Sequence, residues 1–151
     1  FWVKINKRKK NLSLARGVYV FGIRPSGTQK ITPWYVGKTN RQNFQNECFK
    51  LHQQNIYHRT LFKRRKRTKG TPVLFLIPRM TPGKKFYSGN TSKMIDFVEN
   101  YLIGFGVVAN SDIQNRAGTR PYRKIILPGF FNHRGRVGSS VKALQAMFGL
   151  K

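Results

Sequence analysis

Apolar residues recur along this chain with two different periods. Gly17-Val18-Tyr19-Val20-Phe21-Gly22-Ile23 is rich in β-branched and aromatic residues and predicts a strand. Arg24-Pro25-Ser26-Gly27 then supplies turn chemistry, and Ile31 to Gly37, with Trp34-Tyr35-Val36 inside it, predicts the antiparallel partner of a hairpin. Side chains alternate along a strand, so Tyr19 shares a face with Phe21, and Tyr35 with Gly37. Two phenols and a bare stretch of backbone are thereby expected at one end of the hairpin. Thr71 to Pro78 is a continuous apolar run between prolines and predicts a third strand, central and covered on both faces.

The other period is helical. Phe44, Cys48 and Leu51 predict a helix over Asn43 to Leu51, and Ile95, Val98, Leu102 and Phe105 mark the buried stripe of a longer one. Thr91 or Ser92 caps that longer helix, and Asn110 ends it. Near the C-terminus, Ser139 or Ser140 caps a helix whose apolar face is Val141, Ala143, Leu144 and Met147. Together these elements predict an α+β fold: a small three-stranded mixed or antiparallel sheet flanked by helices. A chain of 151 residues suits one domain with extensions. The expected division is a basic arm over 1–16, a core domain over 17–116, and a basic strand-helix extension over 117–151 that docks on the core. The chain does not open on Met, as expected of a start inside a longer reading frame or after processing.

Charge narrows the function classes. Thirty Lys and Arg face only four Asp and Glu, a formal charge of +26. A compact state so charged repels itself unless a polyanion is present, so nucleic acid is the expected partner, alone or within a larger nucleoprotein assembly. The candidate phosphate contacts are Lys7, Arg8, Lys9 and Lys10 in the arm, then Lys50 and Arg59. Lys63, Arg64, Arg65, Lys66 and Arg67 form a dense run, and Arg134 and Arg136 lie in a late loop. No stretch is long and apolar enough to span a bilayer and no signal-peptide pattern opens the chain, so no membrane role is expected. Cys48 is the single cysteine, which excludes an internal disulfide and a cysteine-based zinc site. It suits an intracellular, reducing compartment, cytoplasm or nucleoid first, with an organelle matrix as the other possibility. No P-loop, zinc finger or internal repeat is present, and no small-molecule cofactor is expected.

Glu99 stands at the edge of an apolar helical stripe in a chain almost without acids. A carboxylate there needs a partner: a Lys or Arg in a salt bridge, or a metal or substrate proton at a reactive site. The surrounding motifs bear on that choice. Gly17-Val18-Tyr19, then Tyr35-Val36-Gly37 after a short turn, then a helix with Glu99 and a downstream asparagine, resemble the GIY-YIG nuclease superfamily, over Gly17 to Asn115. The resemblance implies phosphodiester hydrolysis by water, one divalent metal such as Mg2+ held by Glu99, Tyr19 as candidate base, and Tyr35 and Gly37 shaping the site. It also implies a closing segment in which an asparagine holds a loop against the site, and Asn115 is preferred over Asn110 for it. So few carboxylates allow no more than one metal. A phenol with a pKa near 10 is a poor base, and Lys38 is placed to lower it. Gln45 stands where the family usually has an arginine, so Arg41, Lys50 or later basic residues would stand in. A further His or Tyr position is filled by His52, Tyr57 or His58, Tyr57 first. Glu47 is expected to pair with Lys50 or Arg41. The expected function is a metal-dependent endonuclease for DNA or RNA; the alternative is a catalytically inactive nucleic-acid binder of the same fold, such as a ribosome-type component.

Overall fold

The computed structural model describes residues 1–62, 70–89, 91–115, 118–119 and 135–147. Three antiparallel strands form one sheet: β1 (Gly17–Pro25), β2 (Thr32–Thr39) and β3 (Gly70–Pro78), in the order β2-β1-β3. The expected hairpin is present, with Gly27 at φ 78° in its turn, a left-handed value that glycine adopts without a steric penalty. Tyr19 lies opposite Gly37 and Phe21 opposite Tyr35, which puts all four on one face.

The place of β3 corrects the sequence reading. It is an edge strand, with Phe75 and Ile77 exposed, and β1 is the one buried on both faces. Proline explains the difference. Pro72 has no N–H to donate and is tolerated where the outer side of a strand is unpaired, so the apolar run is long without being central.

Helix α1 (Trp2–Arg8) and a short 3-10 turn (Leu12–Leu14) precede the sheet. The basic arm packs onto the protein itself through its apolar residues. Trp2 and Leu12 rest on buried Ala15, Phe44 and Cys48, and Asn6 closes the turn through bonds of 2.8 and 3.0 Å with Ser13. The expected single helix over 43–51 is two. Asn43 caps α2 (Phe44–Glu47), the chain breaks near Cys48, and α3 (Leu51–Phe62) begins with Leu51 exposed rather than buried. Phe44 and Cys48 keep their predicted burial because both precede the break.

Helix α4 (Lys93–Ala109) starts at Ser92, whose hydroxyl accepts from Ile95 N at 3.3 Å, with Asp96 in the first turn where the helix dipole favours a carboxylate. It covers one face of the sheet through Ile95, Ile103 and Val107 against Val18, Val36 and Ile113. Each such aliphatic side chain contributes roughly 1.5–3 kcal/mol when fully buried. Phe105, expected in the stripe, is exposed together with Met94, Phe97, Tyr101 and Val108. Helix α4 carries two apolar stripes with the same period, and period alone does not say which faces the sheet. The opposite sheet face packs Phe21, Ile23 and Trp34 against Ile56 and Tyr57 of α3.

Helix α5 (Ser139–Met147) has no buried residue, while at the start of the extension Thr119 is buried and its hydroxyl donates to Asn115 O at 3.3 Å. The strand expected in the 117–151 extension, over the apolar stretch Tyr122–Leu127, lies outside the described residues, as do the run Lys63, Arg64, Arg65, Lys66 and Arg67 and the late-loop Arg134. Among the described residues no helix is long and apolar enough to cross a membrane.

Candidate functional site

The outer edge of β2 is where the chemistry collects. Asn115 lies against it, its carboxamide oxygen accepting from Val36 N at 2.9 Å and its amide donating to Val36 O at 2.7 Å. One side chain thus imitates the pairing of another strand, and Gln114 N adds a bond of 2.8 Å to Trp34 O. Asn110, the asparagine not preferred, caps α4 and donates to Pro33 O at 2.8 Å.

Between this edge, α3 and α4 lies a cavity of about 380 Å³ lined by Tyr35, Lys38, His52, Arg59, Glu99 and Asn115 among others. The β2 strand brings Tyr35 from one sheet face and Lys38 from the other, because a cavity at a strand edge sees both. Helix α3 brings His52 and Arg59, and α4 brings Glu99. Lys38 also lines an adjoining cavity of about 510 Å³ with Arg41, Lys50, Glu47 and Asp96. The two cavities share Lys38 as a wall.

Lys38 is the electrostatic centre of this region. Its ammonium lies 2.8 Å from Asp96 Oδ1 and 2.9 Å from Glu99 Oε2. Asp96 and Glu99 are one helical turn apart on α4, so a single cation reaches both. Burial pulls the Lys38 pKa down, but the two carboxylates outweigh it and hold the ammonium above its ordinary value. The hydrogen bond from Lys38 in turn holds Asp96 below the usual carboxylate value. Asn40 fixes the arrangement from the end of β2, donating to Asp96 Oδ1 at 2.9 Å and accepting from Ser92 N at 2.7 Å. The lysine expected beside the phenols is therefore held by the two acids.

The two tyrosines are not equivalent. Tyr35 is half-buried and reaches the Glu99 cavity; Tyr19 is buried behind it, with ring centroids 6.1 Å apart. Gly37 makes room for Tyr19, since a Cβ there would overlap the Tyr19 phenol. Desolvation by burial pushes both phenols above the ordinary tyrosine value, Tyr19 well beyond the range of a base at neutral pH. Gln53 of α3 lies beside both phenols and partly offsets the rise.

Tyr57, placed first for the further His or Tyr position, is elsewhere. Its ring stacks on Phe21 at 4.3 Å, its hydroxyl donates to Cys48 O at 2.9 Å, and it lines a different cavity. His52, one of the alternatives, is the residue at the Glu99 cavity, and exposed His58 packs against Phe62. The phase of α3 explains this: with a helix start at Leu51, residues 52, 56 and 59 share a face that 57 does not.

Arg59, read from sequence as a phosphate contact, lies in the cavity itself, and its Nε is buried with no hydrogen-bond partner. A buried guanidinium donor left open is uncommon and is satisfied when an anion enters. No signal in the sequence separated Arg59 from its neighbours. Gln45 is exposed and lines neither cavity, and Glu47 pairs with Lys50 at 2.7 Å. Lys7, Arg8, Lys9, Lys10 and Arg136 are exposed.

Among the described residues no group of three or more His, Cys, Asp or Glu converges as a metal cluster. Glu99, with one oxygen on Lys38, fits at most a divalent ion that completes its shell with water and a substrate phosphate, a common way of holding Mg2+. The chain matches no known protein-family model, no curated protein and no solved structure.

Proposed function

We propose that the chain is a phosphodiester hydrolase of GIY-YIG type acting on DNA or RNA, with one Mg2+ held through Glu99. The observation that carries the reading is the meeting of Glu99, Tyr35 and the open Arg59 donor in one cavity of a strongly cationic protein. The ion, when bound, supplies Lewis acidity and a water of lowered pKa. Arg59 donates from Nε to a phosphate oxygen, and Lys38 neutralises Asp96 and aligns the Glu99 carboxylate. Tyr35 orients the attacking water through its hydroxyl, while Tyr19 stays protonated behind it. Asn115 locks the β2 edge, and so fixes Tyr35 relative to Glu99.

A second reading, a nucleic-acid binder without catalysis, draws support from the Lys38 ammonium lying between Asp96 and Glu99 and from the burial that opposes ionisation of both phenols. Incubation with supercoiled plasmid and with structured RNA, in Mg2+ or in EDTA, separates the two. Metal-dependent cleavage that Glu99→Ala abolishes supports the hydrolase; salt-sensitive binding with no product in any metal supports the binder. Glu99→Gln should leave binding within about tenfold of wild type, because one carboxylate is a small part of a phosphate footprint.

A further inference from the structure

On the far side of α3 from Glu99 lies a second kind of cavity, of about 330 Å³, walled by Phe1, Phe21, Phe49, Tyr57 and Leu74. Its position follows from the break between α2 and α3. Phe44 and Cys48 are buried, and the backbone then turns and throws the next residue, Phe49, to the surface. Around that ring stand Phe1 at 5.3 Å and 86°, Trp2 at 5.7 Å and 64°, and Tyr57 at 6.4 Å and 83°. Near-perpendicular rings form a corner that offers both faces and edges to a flat guest.

The polar inventory is as telling as the aromatic one. The Tyr57 hydroxyl is already engaged with Cys48 O, so the only hydroxyl among the described wall residues is not free to read a ligand. Exposed Lys4 lies one turn after Phe1, in a chain of formal charge +26. An apolar peptide side chain would have no use for that charge; a base carried on a phosphate chain uses rings and cations together.

We infer that this aromatic corner takes one unpaired nucleobase by stacking, without regard to its identity, while Lys4 holds a flanking phosphate. The inference rests on the nucleic-acid reading above and narrows it: single-stranded or splayed segments, rather than continuous duplex, are what this side of the protein grips.

Trp2 reports on the corner directly, since it touches both Phe1 and Phe49, whereas the other tryptophan, Trp34, is buried. The test titrates the full chain at low salt with short oligothymidylate and oligouridylate, and with abasic strands of the same length and charge, following tryptophan emission and affinity. The base-bearing strands should bind about tenfold more tightly than the abasic ones. They should also change an emission that Trp2→Phe removes. Phe49→Leu, which keeps apolar volume but loses the ring, should erase that preference, and Phe49→Trp should restore it. Equal affinity for base-bearing and abasic strands, with a silent Trp2, overturns the stacking corner and leaves nucleic-acid binding standing. Failure of every strand to bind overturns the nucleic-acid reading itself and this inference with it. The wild-type comparison of the two strand types decides the question even where a Phe49 variant folds poorly.

Discussion

Helix α3 separates two cavities that share little but that helix. One wall carries His52 and Arg59 toward Glu99, Lys38 and Tyr35; the other carries Tyr57 toward Phe21 and Phe49. On the first side a buried donor stands open and two acids share one ammonium. On the second, hydroxyl and rings have already found partners within the protein. Unsatisfied or shared polar groups leave room for chemistry, whereas satisfied ones leave only shape and dispersion for recognition. A few residues of phase on one helix decide which side is which.

The largest expected way to break this contrast is Asn115→Ala. It removes two hydrogen bonds from the Val36 backbone and leaves a buried N–H and C=O without partners, at about 3 kcal/mol. Thermal unfolding should register that loss, while Trp2 emission in the remaining folded protein stays native. Unchanged stability would mean that the β2 edge is held by something other than this side chain. Gly37→Ala should cost somewhat less, about 2 kcal/mol, because the new methyl must displace the Tyr19 phenol inside a packed core. The displaced ring pushes on Tyr35, so nucleic-acid cleavage should fall further than stability does, read as kcat against denaturation midpoint.

Acid gives the smallest and most selective effect. The Asp96 pKa is held below its ordinary 3.8, so its pairing with Lys38 stabilises the fold above that value and is lost as pH falls through the lowered one. The pair is partly exposed, which limits the contribution to at most about 1 kcal/mol after solvent screening. A Lys38→Met variant should therefore show a shallower loss of stability with acid than wild type, with the aromatic corner unaffected in either. A parallel decline in both proteins would assign the acid sensitivity to another group.

Local chemistry was legible from sequence where a residue acts on its own neighbours. The strands of the hairpin, a cap at Thr91 or Ser92 and a pairing of Glu47 with Lys50 or Arg41 all depend on short-range geometry, and the structure has the cap at Ser92 and the pair at Lys50. What depended on phase or on strand order was not legible. The apolar run of β3 fits a centre or an edge, and both stripes of α4 have the period of a buried face. Leu51 kept the spacing of a helix that had already ended at Glu47. His52 and Arg59 became visible as cavity residues only once the true start of α3 was fixed. For Lys38, adjacency to Gly37 suggested the phenols, but alternation sends consecutive side chains to opposite faces, and its own face holds α4 with Asp96 and Glu99.

The clamp of Asn115 on Val36 has one more implication, for how copies of this protein can join through their sheets. A margin already sealed by a side-chain amide offers no template to an incoming strand, so among the described residues backbone pairing between copies is left to the outer side of β3. Two molecules joined there would use up the open margin that the three described strands leave, and growth through this sheet would terminate at a pair instead of propagating into a fibre.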